Sequence, residues 1–166
     1  MTQELIRCSC CDEMVPADDA ELTYRLPDAI ACMSQEDIDE TCKYTSDYVV
    51  CEERYFYIRC VIVLPVKESA RDYAIGAWAQ VSPKSFNRIW ELWDEDDQSQ
   101  EPPMRGLLAN NVHLNQNAED AEVEVQLTGS SSRPKIIIKD PECTLYTEQN
   151  YGIPIHRARE YSDLCR

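Results

Sequence analysis

The sequence predicts a single α+β domain, residues 1–166, with a mostly antiparallel sheet. Its 166 residues are the length of one ordinary domain, and 43% of them are hydrophobic, enough to form a core. Short segments rich in β-branched and aromatic residues dominate the chain, and one strong amphipathic helix, about 83–93, lies near its middle, flanked by short helices. Because helices do not alternate regularly with these strands, we expect antiparallel pairing.

The first third of the chain carries weak structural signals. Residues 7–15 form a cysteine-rich corner, and residues 21–26 are compatible with a short strand that Pro27 ends. Residues 34–42 are predicted to form a short helix, because Ser34 is a favourable N-cap and acidic residues crowd the first turns.

The strongest strand signals follow. Residues 48–51 and 55–64 are dense in β-branched and aromatic side chains, and the acidic pair Glu52-Glu53 between them is typical of a tight turn. Residues 73–81 form a third predicted strand, in which Gly76 indicates a bulge or a close backbone approach.

A helix is predicted directly after this strand, with Ser82 as N-cap and Pro83 at the first helical position. Apolar side chains recur with helical spacing at Phe86, Ile89, Trp90 and Trp93. The stripe predicts that its two tryptophans, like Trp78 in the preceding strand, are core residues. The acidic residues that follow oppose the helix dipole, so residues 94–103 are expected to form an acidic loop.

The rest of the chain is predicted to contain further strands and two short helices. Glycine, serine and proline between residues 129 and 134 indicate a turn. Strands are predicted over residues 106–114, 122–127 and 135–139, and helices over 144–151, closed by Gly152, and over 154–164.

The charge excludes several partners. Lys and Arg number 16 against 31 Asp and Glu, so the net charge is −15, and clustered cations for a nucleic-acid backbone are not expected. An anionic membrane surface should repel such a chain, and no stretch approaches 18 apolar residues. The first residues do not resemble a signal peptide, so we expect a cytoplasmic protein with no membrane partner.

Nine cysteines point to thiol chemistry or metal binding rather than to disulfides. An odd number of cysteines without a signal peptide is atypical of a secreted disulfide framework. Cys60, inside an apolar strand, is expected in the core. Cys8 and Cys11 form a C-x-x-C pair with the bite of a structural zinc site, although the chain has no second such pair. We expect either no cofactor or one structural zinc ion; redox catalysis is disfavoured, because Asp12 and Glu13 would raise the thiol pKa.

No enzymatic motif is present. The nucleophile elbow, the phosphate-binding loop and the dinucleotide fingerprint are all missing from the sequence, so we expect no catalytic residues. Two histidines, His113 and His156, are expected to be structural or solvent-facing. Arg59, inside an apolar strand, is expected to pair with Asp47 or Glu52, with the lining of a cleft as the alternative.

Several strings in fixed order resemble a bacterial family known only as domain of unknown function 2199, over roughly residues 6–159. The family pattern has Cys-x-x-Cys-Gly-x-x-His, but this chain has Asp12 and Val15 in place of the glycine and the histidine; Cys60 stands where a glycine usually follows the aromatic-Ile-Arg string. The resemblance implies no activity. It rests on Cys8-x-x-Cys11, Ser46-Asp47 before Cys51, Tyr55-Phe56-Tyr57-Ile58-Arg59 running into Leu64-Pro65-Val66, Gly76-x-Trp78 with Val81-Ser82 and Phe86, Pro103-x-x-Gly106, Arg133-Pro134, and Glu148-Gln149-x-x-Gly152-Ile153.

The resemblance also indicates a third metal ligand. Because the family-like Ser-Asp…Cys string includes Cys51, this residue is expected to join Cys8 and Cys11 at a zinc ion. The fourth ligand is left open among Cys42, Cys10 and Cys32.

Two functions follow from these expectations. The first is a non-enzymatic acidic protein that occludes a basic partner protein, such as a toxin, in the manner of an immunity protein. The alternative is a small zinc-stabilised regulatory or accessory module. The residues expected to contact the basic partner are Asp94, Glu95, Asp96, Asp97, Glu101, Glu119, Asp120, Glu122 and Glu124.

Overall fold

A computed structural model describes residues 4–16 and 21–165, which contain nine strands and five helices. The strands are β1 (Leu5–Arg7), β2 (Met14–Pro16), β3 (Cys42–Tyr44), β4 (Tyr48–Cys51), β5 (Tyr55–Leu64), β6 (Tyr73–Val81), β7 (Met104–Leu108), β8 (Glu122–Gln126) and β9 (Lys135–Ile138). The helices are α1 (Asp28–Ala31), α2 (Gln35–Thr41), α3 (Pro83–Glu91), α4 (Thr144–Tyr151) and α5 (Ile155–Asp163).

The strands form a β1–β2 hairpin and a seven-stranded sheet, and the α+β prediction is confirmed. The large sheet runs β3-β4-β5-β6-β7-β8-β9 with antiparallel neighbours throughout. A parallel pairing of Val61 with Lys135 also joins β5 to β9. Strands β5 to β9 therefore close on themselves, and β3 and β4 extend outward from one half of β5.

The edge of β5 that faces away from β6 is shared by two partners. Its first half pairs with β4 as far as Ile58, and its second half meets β9 at Val61. The amide of Arg59 donates to the carbonyl of Asp47 (3.0 Å), and the amide of Val61 donates to the carbonyl of Pro134 (2.9 Å). Arg59 therefore lies where β4 leaves β5 and β9 joins it, and this point is called the fork below.

Alternating side chains divide between two cores. The larger core lies between the closed strands and α3, α4 and α5, and it contains Ile58, Cys60, Ile62 and Leu64 of β5, so the prediction for Cys60 is confirmed. The smaller core lies under α1 and α2 and includes Tyr57 and the fully buried Trp78. Each fully buried large apolar side chain stabilises the fold by about 1.5–3 kcal/mol.

The helix prediction is confirmed for its start and corrected for its end. The hydroxyl of Ser82 accepts a hydrogen bond from the amide of Ser85, and α3 ends at Glu91. Phe86 and Ile89 are buried, but Trp90 is 55% exposed and Trp93 is 36% exposed. The prediction that these two tryptophans are core residues was therefore wrong, because the sheet beneath the helix covers only the first part of its apolar stripe.

Two predicted strands differ from the observed ones. Residues 21–26 form only an isolated bridge between Thr23 and Gly76, and a Cβ at Gly76 would lie 3.0 Å from the Thr23 methyl, so the expected close approach is confirmed. The strand predicted over 106–114 is β7, Met104–Leu108. The pairing of β7 with β6 ends at Leu108. Beyond it, the side-chain Oδ1 of Asn110 accepts a hydrogen bond from the backbone amide of Trp78 in β6 (2.8 Å).

None of the helices in the described ranges has the length and apolar content needed to cross a bilayer.

Asn110 supplies a stability test. It is 1% exposed, and besides accepting from Trp78 it donates to the carbonyl of Leu26 and the carboxylate of Asp28, both at 2.9 Å. We expect Asn110→Ala to lower the free energy of unfolding by about 1–3 kcal/mol, because a buried backbone N–H loses its acceptor. Urea denaturation measures the loss. The neighbouring exposed Asn111→Ala is the control, and equal stability of the two variants would contradict this role.

Candidate metal centre

The cysteine-rich corner is the turn of the β1–β2 hairpin. Ile6 pairs with Val15 across the hairpin, the amide of Cys8 donates to the carbonyl of Glu13 (2.8 Å), and the amide of Asp12 donates to the carbonyl of Cys8 (2.9 Å). Asp12 adopts a left-handed backbone with φ of 60°, a conformation that aspartate tolerates better than most residues. The turn therefore presents Cys8, Cys10 and Cys11 within one short loop.

A carboxylate fastens this turn to the start of α5. Glu68 accepts hydrogen bonds from the amide of Ser9 (2.7 Å) and from the amide of Ile155 (3.1 Å). Partial burial acts to raise the pKa of Glu68, but these backbone donors outweigh it and hold the pKa below its usual range. The carboxylate thus links residues 9 and 155, and His156 comes beside the turn.

A second carboxylate holds α5 against the rest of the chain. Glu148, which is 9% exposed, accepts from Arg157 Nε (3.0 Å) and from the hydroxyl of Tyr161 (2.6 Å). Burial and the hydrogen bond to Glu148 raise the pKa of Tyr161 above its ordinary value, so the phenol stays protonated. His156 therefore extends from a helix whose position is determined by buried polar contacts.

Four donor atoms meet at this place. The Sγ atoms of Cys8, Cys10 and Cys11 and a ring nitrogen of His156 all lie within 4.8 Å of one another. Cys8 Sγ is 3.1 Å from Cys10 Sγ, and Cys11 Sγ is 3.1 Å from His156 Nδ1. Cys8 is buried, whereas Cys10 and Cys11 are exposed at the surface.

The close approach of Cys8 and Cys10 shifts the pKa values of their thiols in opposite directions. Burial opposes ionisation of Cys8, but hydrogen bonds from Cys10 and from nearby backbone groups lower its pKa overall. The hydrogen bond to Cys8 raises the pKa of Cys10 to about 12. One thiolate therefore forms at the expense of its neighbour, and several thiolates together require a cation to offset their repulsion.

The donor set fits zinc. Three cysteines and one histidine are a ligand combination found in structural zinc sites, and Zn–S bonds of about 2.3 Å place tetrahedral sulfur ligands about 3.8 Å apart. Donors already within 4.8 Å need to move by about 1 Å or less to reach that geometry. On the far side of the imidazole, Nε2 lies 3.8 Å from Glu160 Oε1, where outer carboxylates commonly orient a metal-binding histidine.

A family model described as "Uncharacterized protein conserved in bacteria (DUF2199)" matches residues 7–153. The chain belongs to this family. No curated protein and no solved structure matches the chain. The matched segment includes the three thiols but ends before His156, so the imidazole comes from outside the region that the family model covers.

The family resemblance leads us to expect a histidine four residues after the C-x-x-C pair, and this chain has a valine there. Val15 occupies that position in β2, where it is 5% exposed and packs in the larger core. A valine cannot bind a metal ion, and His156, 145 residues away from Cys11 in sequence, lies beside the thiols instead.

The expected third ligand, Cys51, does not lie with Cys8 and Cys11. It is a buried residue of β4 opposite Cys42 of β3, and its thiol is 3.9 Å from the hydroxyl of Thr41. Burial and the hydrogen bond with Cys42 raise its pKa. Cys32 donates to the carbonyl of Ala29 in α1. Of the four cysteines considered as third or fourth ligands, only Cys10 joins the C-x-x-C pair.

The acidic residues expected to contact a partner fall into two groups along β8. Glu119, Asp120 and Glu122 lie at its start, whereas Gln126 at its other end donates to the carbonyl of Glu101 (3.4 Å). Glu101 forms two hydrogen bonds of 2.9 Å with Arg88, and Glu124 lies 3.4 Å from Lys139. In the acidic loop, Asp96 accepts from the hydroxyl of Ser130 in the 129–134 turn (2.5 Å), and Asp97 accepts from the hydroxyl of Ser99 within the loop (2.6 Å).

Arg59 does not form the expected ion pair. Its Nη1 donates to the carbonyl of Ser46 (3.2 Å), and the carboxylate of Asp47 instead lies 3.6 Å from Arg133 Nε. The alternative expectation is confirmed, because Arg59 lines a cavity at the fork.

The Glu68 carboxylate supplies a second test of stability. We expect Glu68→Ala to lower the free energy of unfolding by about 1–3 kcal/mol, because two backbone N–H groups lose a charged acceptor. Urea denaturation in the presence of a chelator measures this effect without metal. Glu40→Ala, on the exposed side of α2, is the matched control. A Glu68→Ala chain as stable as the control would mean that the carboxylate does not fasten the hairpin to α5.

Proposed function

We propose that this chain is a zinc-stabilised binding module in which Cys8, Cys10, Cys11 and His156 hold one structural zinc ion. The observation that carries the proposal is the convergence of these four donor atoms within 4.8 Å. Four protein ligands complete a tetrahedral zinc site and leave no open position, which favours a structural role over a catalytic one.

The zinc ion would stabilise the β1–β2 hairpin, which is too short to be stable in isolation. The hairpin has only three residues in each strand, and an isolated two-stranded hairpin is marginal in water. An ion bound by the hairpin turn and by α5 would join segments near the two ends of the chain. Because such a site does not exist in the unfolded chain, the binding free energy would add to folding stability.

Metal analysis tests the proposal. We expect one zinc ion per chain in reduced protein, and visible absorption of the cobalt-substituted protein typical of tetrahedral thiolate coordination. Cys11→Ser and His156→Gln are expected to lose at least tenfold in zinc affinity, and Cys11→Ser also to lower the melting temperature of the zinc-loaded chain.

The controls separate this site from other cysteines. Cys165→Ser, at an exposed position, and Cys51→Ala, in β4, are expected to retain one zinc ion per chain. Zinc loss in Cys51→Ala, or reduced wild-type protein that binds no zinc, would contradict the proposal.

A second candidate function, electrostatic occlusion of a basic protein of the immunity type, is supported by one surface. Trp90 and Trp93 expose 55% and 36% of their area directly before the exposed acidic residues Asp94 and Glu95. Tryptophan is enriched among residues that dominate binding energy in interfaces, and acidic neighbours speed encounter with a basic partner. These four residues are called the acidic–aromatic surface.

Paired variants test this second function. Immobilised wild-type chain is incubated with lysate of the source cell at low and high salt, and the retained basic proteins are then purified and their kinetics measured. We expect Asp94→Asn with Glu95→Gln to slow association about tenfold at low salt, and Trp90→Ala to speed dissociation. Glu36→Gln with Glu40→Gln removes the same charge on α2 and should change neither rate. Equal kinetics for all variants would exclude the acidic–aromatic surface.

A further inference from the structure

We propose that the cavity at the fork binds a small organic phosphate, with the phosphate group held by Arg59, Arg133 and Lys135 and the organic group against Trp93. The proposal does not rest on the zinc centre or on protein binding by the acidic–aromatic surface, although Trp93 belongs both to that surface and to the lining of the cavity. It rests on the cavity's shape, its charges, an unsatisfied guanidinium and an apolar wall.

The cavity follows from the way β5 divides its edge. Where β4 leaves and β9 joins, the two covering segments separate and leave an opening of about 610 Å³, within the range of ligand pockets. Residues 127–135 form one wall, and Ile89 and Trp93 at the end of α3 form another. Arg59 lies at the fork between them.

The charges at this cavity are opposite to those of the chain. Three cations and one carboxylate line it, which leaves a net charge of two positive on a protein whose net charge is −15. The carboxylate, Asp47, is already 3.6 Å from Arg133, and in the described part of the chain no carboxylate lies within ion-pair distance of Arg59 or Lys135. A phosphate monoester at neutral pH carries a charge near two negative, which matches this excess.

The guanidinium of Arg59 has unused hydrogen-bonding capacity. An arginine offers five N–H donors, but the bond from Nη1 to Ser46 is its one side-chain hydrogen bond to described residues, and its buried Nε has no partner among them. Burial and the nearby Arg133 lower the pKa of Arg59. Asp47 opposes this shift but is itself 3.6 Å from Arg133, and an anion bound near Arg59 and Arg133 would offset both their repulsion and the unsatisfied donors of Arg59.

A hydroxyl-rich loop completes the polar wall and is held in place from both sides. Gly129, with φ of 125°, donates its amide to the buried side chain of Gln98 (2.6 Å), and Gln98 in turn donates to the carbonyl of Leu92 (2.8 Å). The hydroxyls of Thr128 and Ser132 are 2.7 Å apart, and that of Ser130 donates to Asp96. The Thr128 hydroxyl also donates to the carbonyl of Arg133 (3.0 Å), so these groups are bonded within the protein and hold the wall in place before any ligand binds.

The remaining lining is apolar. Trp93, Ile89, Leu127 and Val61 contribute this part of the cavity. Inorganic phosphate would leave these side chains uncovered, whereas a phosphate ester with a flat apolar group would bury them. The ligand class is therefore an organic phosphate rather than the free ion.

Titration calorimetry with phenyl phosphate tests the proposal on the full chain. We expect binding in the micromolar to millimolar range, at least tenfold weaker binding of inorganic phosphate, benzoate and phenol, and chemical-shift changes confined to amides near residues 59, 93 and 128–135. Arg133→Gln should weaken phenyl phosphate binding at least tenfold. Arg105→Gln, on the exposed face of β7 and outside this cavity, should leave it unchanged.

Further variants separate the two parts of the ligand and guard against misfolding. Trp93→Ala should weaken phenyl phosphate but not inorganic phosphate, and Lys135→Gln, at an exposed position, should weaken both. The proposal is overturned by benzoate or phenol binding as tightly as phenyl phosphate, by an unchanged affinity in Arg133→Gln and Lys135→Gln, or by shift changes near His156 instead of at the fork.

Discussion

Much of this structure depends on how one strand, β5, satisfies its backbone hydrogen bonds. One edge of β5 pairs along nearly its whole length with β6, and the other is divided between β4 and β9. Buried backbone N–H groups are costly without acceptors, so the carbonyls of Asp47 and Pro134 complete the ladder where the partner changes. This division closes β5 to β9 around the larger core, and it also separates the segments that flank Arg59 and opens the cavity there.

A different constraint acts near the ends of the chain. The β1–β2 hairpin is too short to be stable alone, and its connection to the rest runs through Glu68, α5 and the group of thiols beside His156. The two ends of the chain are therefore coupled, and a metal ion at this place would stabilise a contact between residues that are far apart in sequence. The loop closed in the unfolded chain is long, which makes such a link more effective in principle.

The acidic side chains that give the chain its negative charge lie in different surroundings. Three of the carboxylates form ion pairs with basic side chains, so their negative charge is offset within the protein. These pairs are Glu101 with Arg88, Glu124 with Lys139, and Glu148 with Arg157. Asp94 and Glu95 remain at the surface beside two exposed tryptophans. At the fork the sign is reversed, with cations in excess. The molecule thus presents two distinct electrostatic environments near the end of α3, and Trp93 belongs to both.

The sequence by itself determined the elements whose signals are local, and the tertiary structure decided the contacts between distant residues. The apolar pattern of β5 and β6, the N-cap at Ser82 and the glycine after α4 were sufficient to place those elements within a few residues, because period and capping act over short distances. Of the four donors at the candidate metal centre, the sequence predicted Cys8 and Cys11, left Cys10 open among three possible fourth ligands, and did not predict His156. Nothing local distinguishes His156 from a solvent-facing residue, and strand pairing places Cys51 with Cys42 instead. Whether Trp90 is covered, and what Arg59 faces, depends on where the sheet ends and where β5 changes partners, and these are properties of the assembled fold.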